Sequence, residues 1–117
     1  MNILGRHWIN FKLVGLRRKQ KVVQLEKPSV AAVIETLEDR VNALNCHRIE
    51  EGEAYATGDS TADDLSQLES EIYFVESELK TARHRAAELS RESERLAEEC
   101  LLLERQCRAR DCSPPRR

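Results

Sequence analysis

Apolar residues recur every seven positions through the second half of the chain. Leu65, Ile72, Leu79, Ala86, Ser93, Cys100 and Cys107 share one position of the repeat. Leu68, Val75, Ala82, Leu89, Leu96 and Leu103 follow three residues after the first six of them. Ser93 is the one polar member, so positions a and d of a heptad run without a stutter from Leu65 to Cys107. A stripe this narrow stays wet on a lone helix and predicts a coiled coil. The helix is expected over about 62–110, roughly 70 Å long at ~1.5 Å per residue. Thr61 with Asp64 supplies a capping-box-like start, the acid suiting the positive end of the helix dipole. Ser113-Pro114-Pro115 supplies the end, because proline cannot continue a helix.

A shorter repeat lies upstream. Val30, Ile34, Leu37, Val41 and Leu44 alternate at spacings of four and three, and Ser29 after Pro28 can cap a helix start. This predicts a short amphipathic helix over about 30–50. Leu37 and Leu44 fall on d positions there, whereas the downstream frame carried backwards makes Leu44 an a position. The two helices are therefore out of phase and separate. Between them Glu51–Ser60 holds two glycines and no apolar period, which reads as a flexible linker. In the first 27 residues Ile9, Phe11 and Leu13 alternate with Asn10 and Lys12 at a strand period, and Val22-Val23-Gln24-Leu25 follows. A hairpin and a basic amphipathic helix both fit, and both stay open. The expected organisation is a basic arm (1–27), a short helix (28–50), a linker (51–60), a coiled-coil helix (61–110) and a disordered tail (111–117). The fold class is all-α, an elongated coiled coil.

Charges beside the stripe describe what it pairs with. Glu69, Glu76 and Glu104 lie at e, and Glu71, Glu78, Glu92 and Glu99 at g, against Arg83 and Arg85. In a parallel homodimer Glu71 would meet Glu76 and Glu99 would meet Glu104, so a helix bearing Lys or Arg at e and g fits better. Each exposed pair matters by only about 0.2–1 kcal/mol. Ala82, Ala86 and Ser93 leave the middle of the stripe thin. A short helix folding back covers only part of it, so a second chain is expected over the rest. The expected partner contacts are Leu65, Leu68, Ile72, Val75, Leu79, Leu89, Leu96 and Leu103, together with Ile34, Leu37, Val41 and Leu44.

Composition sharpens this picture in two ways. Aromatic residues are 4% and charged residues 34%, too little apolar mass for a thick core. The net charge of −2 also hides a polarity, since residues 1–27 carry seven bases against Glu26 alone. Residues 28–64 carry nine acids against Arg40 and Arg48. Arg6, Lys12, Arg17, Arg18, Lys19 and Lys21, with Trp8 and Phe11 among them, are candidate contacts to an anionic partner. The same acid-poor start has some features of a mitochondrial presequence, although its first 28 residues contain no serine.

Candidate chemistry adds little. The four cysteines form no C-x-x-C pair, and His7, His47 and His84 have no ligand-like spacing to them beyond the adjacent Cys46-His47. Two of the cysteines lie on the stripe, where cysteine packs as a small apolar residue. No phosphate-cradling loop, nucleophile elbow or metal motif is present, so neither an enzyme nor a cofactor is expected. Ser113-Pro114 beside Arg116-Arg117 resembles a proline-directed phosphorylation site. The chain reads as a non-enzymatic coiled-coil adaptor or structural subunit within a hetero-oligomer, cytoplasmic or cytoskeletal, with no transmembrane segment. The alternative is a coiled-coil-dimerised nucleic-acid-binding protein gripping phosphates with its basic arm.

Overall fold

The computed structural model describes the backbone of residues 3–111 and the side chains of 5–109. The expected helix end at Ser113-Pro114-Pro115, Cys112 and the Ser113-Pro114 dipeptide lie outside the described residues. The fold is all-α. Helix α1 runs Ile3–Ala56 and helix α2 runs Ala62–Asp111, with no strand among the described residues.

Helix α2 begins and runs as the heptads predict. The Asp64 amide donates to Thr61 Oγ1 at 3.2 Å, and Asp63 and Asp64 sit in the first turn. Helix α1 resolves one open alternative and corrects two expectations. The arm takes the helical alternative and not the hairpin, the helix does not start at Ser29, and the linker shrinks to the few residues after Ala56. The reason is a second heptad, longer than its visible part. Ile9, Leu13, Leu16, Gln20, Val23, Lys27, Val30, Ile34, Leu37, Val41 and Leu44 follow one another at alternating spacings of four and three. Ile9 and Leu13 are buried at 1% and 5% exposure, while Phe11 between them is 78% exposed. The strand-like alternation is thus an accident of an outward Phe11 placed between two inward positions of a helix.

Pro28 lies inside α1. It cannot donate to the Gln24 carbonyl, a defect worth about 3 kcal/mol in a helix interior. The helix passes through because Val23 is buried on one side and Leu37 on the other, so each flank is held by its own packing. Gly52, expected to break the helix, sits within it between glutamates that favour helix. The stop comes at Gly58 instead. Its φ of +84° is the left-handed conformation that glycine adopts at least cost. The Asp59 amide reaches back to the Ala54 carbonyl at 2.7 Å, and the Gly58 amide reaches the Tyr55 carbonyl at 3.1 Å. That pair of bonds is a Schellman closure, and it satisfies carbonyls that the helix end leaves over. Ser60 Oγ then donates to Glu51, tying the turn to the last turns of α1.

Packing divides the chain into two units, Met1–Pro28 with Glu88–Arg117, and Ser29–Ala87. In the second unit the latter part of α1 runs antiparallel to the start of α2. Leu37, Val75 and Leu79 form its buried cluster, with Ile34, Val41, Leu44 and Ala82 packed around them. In the first unit Ile9, Leu13 and Cys100 form the cluster, with Leu16, Leu103 and Cys107 against it. Val23, Leu89 and Leu96 are buried in the same unit. The expectation that a second chain must cover the α2 stripe is therefore corrected. Because α1 is as long as its partner rather than less than half as long, the protein's own first helix supplies the cover.

Candidate partner-binding surfaces

The sequence-predicted contact residues gather on the internal seam of each unit. Leu68, Ile72, Val75, Leu79 and Leu37 are buried in the second unit, with Leu65, Ile34, Val41 and Leu44 half-buried. Leu89 and Leu96 are buried in the first unit, with Leu103 half-buried. These twelve positions do meet a helix, and that helix belongs to the same chain.

The flanking charges behave likewise. In an antiparallel pair, e faces e and g faces g. Arg17 binds Glu104 at 3.1 Å within the first unit. Arg40 binds Glu71 at 3.1 Å and Arg83 binds Glu38 at 3.2 Å within the second. Glu71 and Glu104, which would meet glutamates in a parallel homodimer, find arginines on α1. The basic complement that the acidic flank called for is thus present in this chain. All three pairs are well exposed, so they select orientation more than they stabilise.

Polar residues on the seam are accommodated individually. Gln24 Nε2 donates to Ser93 Oγ at 3.2 Å, which gives the one polar a position of α2 a partner. The Cys100 thiol donates to Gln20 Oε1 at 3.5 Å. Burial pushes the Cys100 thiol above its usual range, Glu104 and Glu99 add to the rise, and Arg17 opposes it. Cys46 is exposed and Cys107 half-buried. No group of three or more His, Cys, Asp or Glu able to hold a metal occurs among the described residues.

With the seam occupied, the outer faces carry what remains available. Trp8, Phe11, Val14, Tyr73, Phe74 and Leu102 all expose large apolar surface. In the first unit Trp8, Phe11, Val14, Gly15 and Leu16 face Leu102 and Leu103 across a groove of about 770 Å³. Lys12, Arg18 and Lys19 line it too, with Glu99 as the acid among them. Lys12 Nζ lies 4.5 Å from the centre of the Trp8 ring, a cation–π contact. In the second unit Val30, Val33 and Leu37 face Phe74 and Ala82 across a groove of about 510 Å³ that also carries Glu78 and Arg85.

The candidate anionic-partner contacts divide accordingly. Lys12, Arg18 and Lys19 edge the first groove, Arg17 is committed to Glu104, and Arg6 and Lys21 are exposed elsewhere on α1. Seam-based reasoning passed over Phe74 and Leu102, which sit at c positions beside the stripe. Their signal was present, since a helix using only its a and d positions has no internal need for large apolar residues at c. A scan against protein families and searches of curated proteins and of solved structures find no match to this chain.

Proposed function

We propose that the protein is a non-enzymatic coiled-coil adaptor or structural subunit that assembles with partner helices in a hetero-oligomeric complex. The observation that carries this reading is the pair of apolar grooves, each lying outside a seam that α1 and α2 already fill. A two-helix pair that needed nothing further would place polar residues at those outer positions, as solvated coiled coils do. The partner then packs against the outer faces of a pre-formed helix pair and does not complete the a/d seam. Cytoplasm, including its cytoskeleton, suits a chain in which Cys100 and Cys107 serve as packing residues of the seam. No described helix is long and apolar enough to cross a membrane.

The nucleic-acid reading draws less support. Arg17 is engaged by Glu104, and Lys12 lies on Trp8, so candidate phosphate contacts have partners within the fold.

Site-specific photo-cross-linking of the full chain in cells tests the adaptor reading. A photoreactive residue at Phe11 or Phe74 should capture discrete protein partners, whereas one at the exposed, charged position Glu94 should not. Absence of cross-links at both apolar positions would overturn it.

A further inference from the structure

We infer that the groove of the first unit seats one amphipathic α-helix of another protein, whose apolar stripe is flanked by Asp and Glu. This rests on the adaptor reading and names the surface and the chemistry of its partner. Three observations converge on it. The groove has an apolar lining of Trp8, Phe11, Val14, Leu16, Leu102 and Leu103. A helix fits such a trough through anchors at i, i+3, i+4 and i+7.

Charge gives the second argument. Lys12, Arg18 and Lys19 line the groove against Glu99, so its rim is electropositive. Acidic flanks on the occupant complement that rim. A second copy of this chain, docked by the same face, would set those cations against themselves across a two-fold axis. The groove of the second unit carries Glu78 and Arg85 and has no such preference of sign.

Gly15 is the third. Glycine inside a helix is unfavourable relative to alanine, and a methyl group added here would meet nothing within 4 Å. The fold of the free chain therefore gives no steric reason for a glycine at this position. A helix backbone brought close against the groove does, because a missing side chain lets it approach.

Trp8 is the single tryptophan of the chain and lines the groove, so its emission reports occupancy directly. The full-length protein is titrated with a synthetic helical peptide bearing Leu at a and d and Glu at e and g. A Lys-flanked counterpart, phosphatidylserine vesicles and a single-stranded RNA serve as comparisons. The expected result is a saturable blue shift with the Glu-flanked peptide that weakens with added salt. Affinity should fall roughly tenfold in the Arg18→Glu, Lys19→Glu double variant and in Gly15→Leu, both with unchanged helicity. Gly15→Leu should also melt no lower than the parent, which separates loss of the groove from loss of the fold. Equal binding of the Lys-flanked peptide, unchanged affinity in the variants, or a shift with vesicles or RNA but not with the peptide would overturn the assignment. If the peptide fails while Phe74 still cross-links partners, the groove assignment falls and the adaptor reading stands.

Discussion

At the scale of single residues, the two helices hold together through side chains that touch one neighbouring helix and little else. Ile9, Leu89, Leu96 and Val75 are fully buried even so, which makes them positions where truncation leaves a void. Leu96→Ala should cost about 2–5 kcal/mol, read as a lower midpoint in urea unfolding followed by circular dichroism. Phe11→Ala, at an outward position, should change the unfolding free energy from the same measurement by less than about 0.5 kcal/mol. Cys100 offers a chemical check. Its thiol is held protonated by burial and by Glu104, so alkylation by iodoacetamide should label exposed Cys46 first and reach Cys100 only at higher pH. The stability consequence has a definite sign. The unfolded chain releases this proton more readily than the folded one, so Cys100's contribution is whole below the ordinary thiol range and is lost as pH rises from there through the raised value of the folded thiol. Replacing Cys100 with Ala should flatten that alkaline decline, measured as the pH dependence of the thermal midpoint. Exposed ion pairs act more weakly. A double-mutant cycle on Arg17 and Glu104 should return a coupling of about 0.2–1 kcal/mol that fades with salt.

At the scale of elements, the start and course of α2 were legible, and α1 only in part. The α2 repeat has one polar interruption, Ser93, and its start at Thr61 is written in residues whose capping chemistry is local. The α1 repeat is no less regular in spacing, but Gln20 and Lys27 occupy consecutive a positions and Pro28 follows directly. Those three residues disguise the stripe between Leu16 and Val30, and the alternating Ile9, Phe11 and Leu13 add a false strand period. What resolves them is tertiary. The Cys100 thiol bonds to Gln20 across the seam, and Lys27, half-buried, has a long apolar stem suited to a seam position. Neither fact is readable until a facing helix is known. Pro28 itself yields a prediction in the stabilising direction. Pro28→Ala restores the donor to the Gln24 carbonyl and removes the ring clash, and it should raise stability by up to about 3 kcal/mol in chemical unfolding. Gly58→Ala should do the opposite by about 1–2 kcal/mol, because only its left-handed φ allows the Schellman closure.

At the scale of the whole molecule, the question is what the α2 stripe requires, and the physics constrains the answer. A strip of Leu, Ile and Val at a and d cannot remain exposed, and the acidic flank penalises a parallel match to itself. Both demands were visible in the sequence, and they pointed to a helix with bases at e and g. They did not say whose helix it was, since covalent connection leaves no trace in a periodicity. In α1, Arg17 and Arg40 meet the demand for bases, and Glu38 meets Arg83 where the sign reverses. Cutting the chain in the turn therefore separates linkage from recognition. Peptides spanning 1–56 and 62–111, each alone, should be poorly helical or self-associate weakly, because each seam is left uncovered. Mixed at equal concentration, they should form a one-to-one helical complex, with sedimentation equilibrium giving its mass and a cystine-capable pair at the ends of 56 and 62 reporting its orientation. If the 62–111 peptide instead forms a stable helical homodimer that the 1–56 peptide does not displace, the flanking charges weigh less than the apolar stripe. In that event α1 holds its place chiefly because the Gly58 turn keeps it near, by raising its effective concentration against α2.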